Sequence, residues 1–200
     1  MNNKQIKILL VGKTRSGKTT FPKILENPDY IAPKATLFSS TKTPTVTEII
    51  VDETKYVFCD TPGFGDLVKN DNKSLSNSST MKAIENVVDQ YDTICIVVSS
   101  INLDDENIES LIQFDTLFGN KRKIILATHA ESFDEKDQNN FIESLQNHNK
   151  LHNLNYDYPN DVFFIGSLTE DDMISAYEES NNFKKNIIKD MRLTFLANIN

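Results

Sequence analysis

Tryptophan is absent from this chain, cysteine occurs twice and glycine six times in 200 residues. Each shortage narrows the possibilities. Two cysteines, Cys59 and Cys95, each inside an apolar run, cannot build a disulfide framework and do not have the spacing of a thiolate metal site. They fit a reduced, cytoplasmic setting. Basic residues are also in deficit, with 21 Lys and Arg against 29 Asp and Glu and a formal net charge of −8. That sign repels a polyanion unless the cations gather on one face, so nucleic acid is not an expected partner. Long hydrophobic runs are missing as well. Stretches such as 94–98 are far too short to cross a bilayer and polar residues follow Met1 directly, so neither a transmembrane span nor a secretion leader is expected.

What is present is an alternation of short apolar runs with stretches of helical periodicity, the pattern of an α/β fold whose crossover helices cover both faces of a sheet. Candidate strands are 6–11, 45–51, 55–59, 93–99, 123–127 and 162–165, each rich in Ile, Val, Phe or Leu and bounded by polar or glycine punctuation. Candidate helices are 18–25, 79–89, 104–118, 141–151 and 174–196. The third has an acidic start, a stripe of Ile108, Leu111, Ile112, Leu117 and Phe118 interrupted by Asp115, and Gly119 to stop it. In the last, Asn181 and Asn182 are potential breakers. Residues 69–80, heavy in Asn and Ser, read as a mobile loop. At 200 residues the chain suits one domain.

Two of the few glycines stand five apart: Gly12, Lys13, Thr14, Arg15, Ser16, Gly17, Lys18, Thr19 and Thr20 match the P-loop pattern, between an apolar strand and a helical stretch. The chemistry requires glycine because the main chain must curl with its N–H groups inward around a polyphosphate. Lys18 then meets the β and γ phosphates, and the Thr19 hydroxyl binds Mg²⁺. Asp60-Thr61-Pro62-Gly63 follows another apolar run. Its carboxylate can hold the same Mg²⁺, and the Gly63 N–H can approach a γ phosphate and withdraw after hydrolysis. Alone, those four residues are also an ordinary turn.

The combination of a P-loop with a later Asp-x-x-Gly resembles translation-factor-related GTPases. Four blocks together are similar to the immunity-associated, septin-related (AIG1-type) GTPases and their relatives, the chloroplast import receptor (Toc) GTPases. They are Leu10 to Thr19, Ser40 to Thr43, Asp60-Thr-Pro-Gly-Phe-Gly-Asp66, and Leu117-Phe-Gly-Asn-Lys121 leading to Ala127-Thr-His-Ala-Glu131. The resemblance spans residues 5 to 170 and implies one P-loop G domain with a doubly wound, mostly parallel six-stranded sheet, followed by a C-terminal helix to about residue 198.

It further implies GTP and GDP as ligands, Mg²⁺ as cofactor, His129 stacking on guanine and Glu131 accepting from the base. Thr-His-Ala-Glu stands here where Asn/Thr-Lys-x-Asp is usual, and the last base contact, near Gly166-Ser167, is left unassigned. Thr41, or alternatively Thr43, would close over Mg²⁺ from the first switch. Phe64 occupies the place of the water-orienting glutamine of Ras-like proteins, so slow hydrolysis is implied unless a partner or a second copy supplies the missing group. Arg15 stands at the offset where guanylate-binding proteins carry a catalytic arginine; a solvent-exposed loop arginine is the plain alternative. A homodimer across the nucleotide face is implied by analogy alone. A GTP-binding scaffold without hydrolysis and an ATP-using P-loop enzyme are the competing readings. The stretch 183–199, with Lys184, Lys185, Lys189 and Arg192, reads as a terminal packing helix, with peripheral membrane contact as the alternative.

Overall fold

A computed structural model describes residues 4–33, 43–63, 82, 84–101, 103–151, 154, 156–158, 160–169 and 178–199. In chain order the elements are β1 (Gln5–Gly12), α1 (Phe21–Glu26), β2 (Ile31–Ala32), β3 (Thr45–Val51), β4 (Thr54–Asp60), a 3₁₀ turn (Val88–Gln90), β5 (Thr93–Ser99), α2 (Asp105–Phe118), β6 (Arg122–Thr128), α3 (Glu135–Gln146), β7 (Val162–Ile165), β8 (Leu168–Thr169) and α4 (Glu178–Asn198). Six strands form one sheet in the order β3-β4-β1-β5-β6-β7. All neighbours are parallel except the β3–β4 hairpin. Asp52 and Glu53 both take positive φ, 47° and 65°, as a two-residue hairpin turn of matching twist demands.

The six expected strands are all present, the central ones because buried parallel strands read as unbroken apolar runs, and the antiparallel, mostly exposed edge strand β3 because its β-branched residues favour an extended chain. Ile8 to Val11, Ile94 to Val97 and Ile124 to Ala127 are fully buried, with helices covering the sheet. The two-residue β2–β8 pair lies outside this sheet and lacks the length to give a periodic signal.

Helix boundaries required more correction. The first helix opens at Phe21 and not at residue 18, since the N–H groups of Thr20 and Phe21 both turn back to the Gly17 carbonyl before regular winding starts with Pro22 in the first turn. Of the expected helix 79–89, the described part gives a brief helical turn and then the 3₁₀ turn, with Ile84 buried. Helix α3 starts at Glu135, six residues before the expected 141, and stops at Gln146 instead of running to 151. Its first turn is polar and has no apolar period, but Asp134 and Asp137 cap it reciprocally, each side chain accepting from the other's N–H at 2.9 and 3.3 Å. The final helix passes through Asn181 and Asn182 unbroken; residues 174–177 lie outside the described set, as do 69–80.

Asp104 caps α2, accepting from the Asn107 N–H at 2.8 Å, and Ile108, Leu111, Phe114 and Phe118 form its buried face. Asp115, the interruption in that face, pairs at 2.8 Å with Lys123 of β6, whose side chain is 1% exposed. Lys123 also donates to the Gly119 carbonyl and lies over the Tyr156 ring, 5.9 Å from its centre. Helix α4 buries Ile188, Met191, Phe195 and Leu196, and Ile199 just past its end is buried as well. The Phe195 ring meets Phe21 and Phe163 nearly edge-on at 4.9 and 5.4 Å. Arg192 and Arg122 fasten the helix by hydrogen bonds to the carbonyls of Leu25 and Asn198, respectively. Those apolar side chains are therefore held by the core, while Phe183 and Leu193 of the same helix stay exposed, at 60% and 56%. No helix among the described residues is long and apolar enough to cross a membrane.

Candidate functional site

In the sheet order, the strands that follow β1 in the chain lie on both sides of it, β4 on one flank and β5 on the other. A crevice opens at such a reversal, at the carboxyl ends of the strands, and it is where open α/β sheets take ligands. Residues 13–20 sit there. Gly12 has φ 147° and its α-carbon faces the Val97 carbonyl so closely that a side chain would collide with it. Gly17, at φ 88°, is packed under Thr128, whose methyl would be 3.0 Å from an added Cβ. Both positions exclude side chains for geometric reasons.

The Lys18 side chain folds back over the loop, and its ammonium donates to the carbonyls of Gly12 at 3.0 Å and Lys13 at 2.6 Å, with the residue 6% exposed. Its cation is thus delivered to the inside of the loop. Arg15 adopts a left-handed φ of 65° and is exposed, in a conformation that costs a non-glycine residue about 1 kcal/mol or more. The hydroxyls of Thr14 and Ser16 are buried and have no hydrogen-bond partner among the described residues. Orphaned donors on a curled glycine loop suit a polyoxyanion.

At the loop's end the Thr19 hydroxyl donates to Asp60 Oδ2 at 2.5 Å, joining the helix start to the end of β4 across 41 residues of sequence. Asp60 is 4% exposed. A hydroxyl and a buried carboxylate form a hard-oxygen donor set that fits Mg²⁺, an ion that keeps most of its coordination for water and phosphate. Among the described residues no three His, Cys, Asp or Glu side chains converge on a richer metal position. Thr41, the expected further metal ligand, lies outside the described residues, as does Phe64. Thr61 anchors the start of the second motif, donating through its N–H and hydroxyl to the Leu10 carbonyl at 3.3 and 2.8 Å. Gly63 then passes so near the P-loop that an added Cβ would be 2.6 Å from Thr14 N and Cα.

The end of β6 completes the crevice. His129 takes φ 60° and is half-buried, its carbonyl accepting from Ser100 Oγ at 3.1 Å. Glu131 is also half-buried and its Oε2 accepts from the Ser167 N–H at 3.4 Å, while Gly166 lies against it so closely that a Cβ would be 2.5 Å from Glu131 Cα. The unassigned Gly166-Ser167 segment is therefore what supports Glu131. The Lys13 ammonium pairs with Asp104 at 3.2 Å. Thr128 had no individual role in the sequence reading, yet its buried hydroxyl lies 2.8 Å from the Ser16 carbonyl and 3.0 Å from that of Val98, tying the P-loop to β5 and β6. Nothing in the local sequence signals that contact, because its partners are 112 and 30 residues away. The cysteines are both free and buried, and burial raises both thiol pKa values.

Strand order, P-loop and second motif define a P-loop G-domain fold. Solved structures with this fold include Era from Aquifex aeolicus bound to GDP and AlF₄⁻, 18% identical over 93% of this chain with a TM-score of 0.59. A dimerization-deficient mutant of Toc33 from Arabidopsis thaliana is 14% identical, covering 96% of this chain and 84% of its own, with a TM-score of 0.60. A GTP-binding protein engB is 14% identical over 96% of this chain and 98% of its own, with a TM-score of 0.55. The chain spans 56% of the length of Era. Comparison with curated proteins returns no match. The model of the AIG1 family matches residues 6–172, and the chain belongs to that family.

Proposed function

We propose that this protein is a guanine-nucleotide-dependent switch, a single G domain that binds GTP and GDP with Mg²⁺ and hydrolyses GTP slowly. The observation that carries this reading is the buried Lys18 ammonium folded over the P-loop, next to the Thr19–Asp60 pair. Membership of the AIG1 family and the likeness to GTPase folds support it.

In this reading the P-loop amides and Lys18 hold the β and γ phosphates, and Thr19 and Asp60, with Thr41 from the first switch, hold Mg²⁺. The metal would supply neutralisation of phosphate charge. Glu131, supported by Ser167, accepts from the guanine N–H groups, and His129 covers the base face. Gly63 reports on the γ phosphate from its place against Thr14. Hydrolysis is attack of water on the γ phosphorus with cleavage of the bond to the β-bridging oxygen, giving GDP and inorganic phosphate. Phe64 cannot orient that water, hence a slow intrinsic rate.

Arg15, exposed on the P-loop, is the available cation for transition-state charge, worth up to about 10³-fold if desolvated, as in a homodimer closed across the nucleotide face. The two buried thiols support a reducing, cytoplasmic setting. Phe64 also favours a second reading, a GTP-binding scaffold without turnover. Nucleotide that copurifies is identified first, and phosphate release is then followed against protein concentration. A rate per protein that rises with concentration, and falls in Arg15→Ala at unchanged affinity, supports the switch. Bound nucleotide without release supports the scaffold, and preference for ATP defeats both.

A further inference from the structure

The Lys13–Asp104 pair connects the P-loop to a helix that the nucleotide reading leaves unused. Lys13 follows Gly12 directly and its ammonium lies 3.2 and 3.4 Å from the two oxygens of Asp104, with side chains only 23% and 34% exposed. Asp104 has a second task. Its Oδ1 accepts the Asn107 N–H at 2.8 Å and so closes the first turn of α2. One carboxylate therefore sits between a helix start and a cation on the loop proposed to wrap a polyphosphate, across 91 residues of sequence.

Building on the nucleotide-binding reading, we propose that Asp104 is a positioning residue that holds the Lys13 ammonium on the α2 side of the P-loop, in competition with the phosphates for the same cation. An ammonium has three donors on a flexible stem and moves readily between anions. A bound polyphosphate, more highly charged than a carboxylate, draws Lys13 away from Asp104. The carboxylate keeps its capping bond to the Asn107 N–H, so the strength of the Lys13–Asp104 pair differs between nucleotide-free and nucleotide-bound protein. By linkage, the pair lowers nucleotide affinity by the same factor as nucleotide weakens the pair.

Asp104→Asn is the informative variant, because asparagine caps a helix as well as aspartate and leaves α2 in place while the charge is lost. Lys13→Met removes the ammonium and keeps most of the stem. Both single variants and the double variant are unfolded in urea without nucleotide, and their affinities for GDP are measured by titration with a fluorescent analogue. Asp104→Asn should tighten GDP binding about 1.5- to fivefold when Lys13 is present, the range of a partly screened ion pair, and much less in the Lys13→Met background. The urea midpoints should be non-additive without GDP and additive at saturating GDP.

Additive midpoints without GDP would overturn the pair as an energetic contact. Non-additivity that persists at saturating GDP, or equal tightening in both backgrounds, would overturn the competition while nucleotide binding itself stands. If no variant and not the parent protein bind guanine or adenine nucleotides, the nucleotide reading falls and takes the competition with it, and the urea measurement alone would then report a purely structural pair.

Discussion

Replacing Thr128 by valine removes one hydroxyl and almost no volume, and it tests whether the P-loop depends on a tether supplied by a distant strand. The Thr128 hydroxyl is buried, and its only proton is close to both the Ser16 carbonyl at 2.8 Å and the Val98 carbonyl at 3.0 Å. Losing a buried donor leaves its acceptors without compensation, a cost of about 1–3 kcal/mol. For a chain of this length the melting temperature should fall by roughly 2–12 °C. Where the tether is coupled to a nucleotide-ready loop, the same energy weakens nucleotide binding about 5- to 150-fold. Thr128→Ser is the control: it keeps the hydroxyl but gives up the methyl that covers Gly17. Thermal unfolding and titration with a fluorescent guanine nucleotide read the two effects separately. Thr128→Val with reduced stability but parental affinity would refute the coupling, and unchanged stability would refute the tether.

Three other sites offer equally direct measurements. Asp115→Asn strips a charge partner from Lys123, whose side chain is 1% exposed, and should destabilise the fold by about 3–5 kcal/mol; adding Lys123→Met should recover most of the loss, and thermal melts of the three variants decide it. Gly166→Ala would put a Cβ against the Glu131 backbone, so competition binding should show GTP losing its advantage over ATP, whereas an unchanged ratio would detach Glu131 from base choice. Burial, reinforced by the carboxylates of Asp115 and Asp161, pushes the Tyr158 phenol from 10.0 up to about 12, and it raises Tyr156 as well. The fold favours the neutral phenols, so their contribution is complete below pH 10 and fades as pH rises towards 12. Urea midpoints should fall across that window, and in Tyr158→Phe the fall should be shallower.

The buried parallel strands could be read from the chain alone because burial on both faces demands unbroken apolar runs, and 93–99 and 162–165 were bounded to the residue. The antiparallel, mostly exposed edge strand 45–51 was bounded as well, by its β-branched Thr, Val and Ile. The P-loop was equally legible, since a backbone curled around phosphate demands glycine at particular places and leaves little freedom of spelling. Helix ends were less legible. A capping box such as Asp134 and Asp137 carries no periodicity, and the P-loop's own turn delays α1 to Phe21.

Contacts between residues distant in sequence could be decided only by the tertiary structure. Thr128 tethers Ser16, Ser167 supports Glu131, Asp104 takes Lys13, and Asp115, which looked like a flaw in a helix face, neutralises Lys123. Local patterns follow from backbone geometry and burial and are therefore written along the chain. The pairing of a hydroxyl with a carbonyl 112 residues away has no local cause, and it exists only once the sheet has brought the end of β6 to the same edge as the loop after β1, with β5 between them.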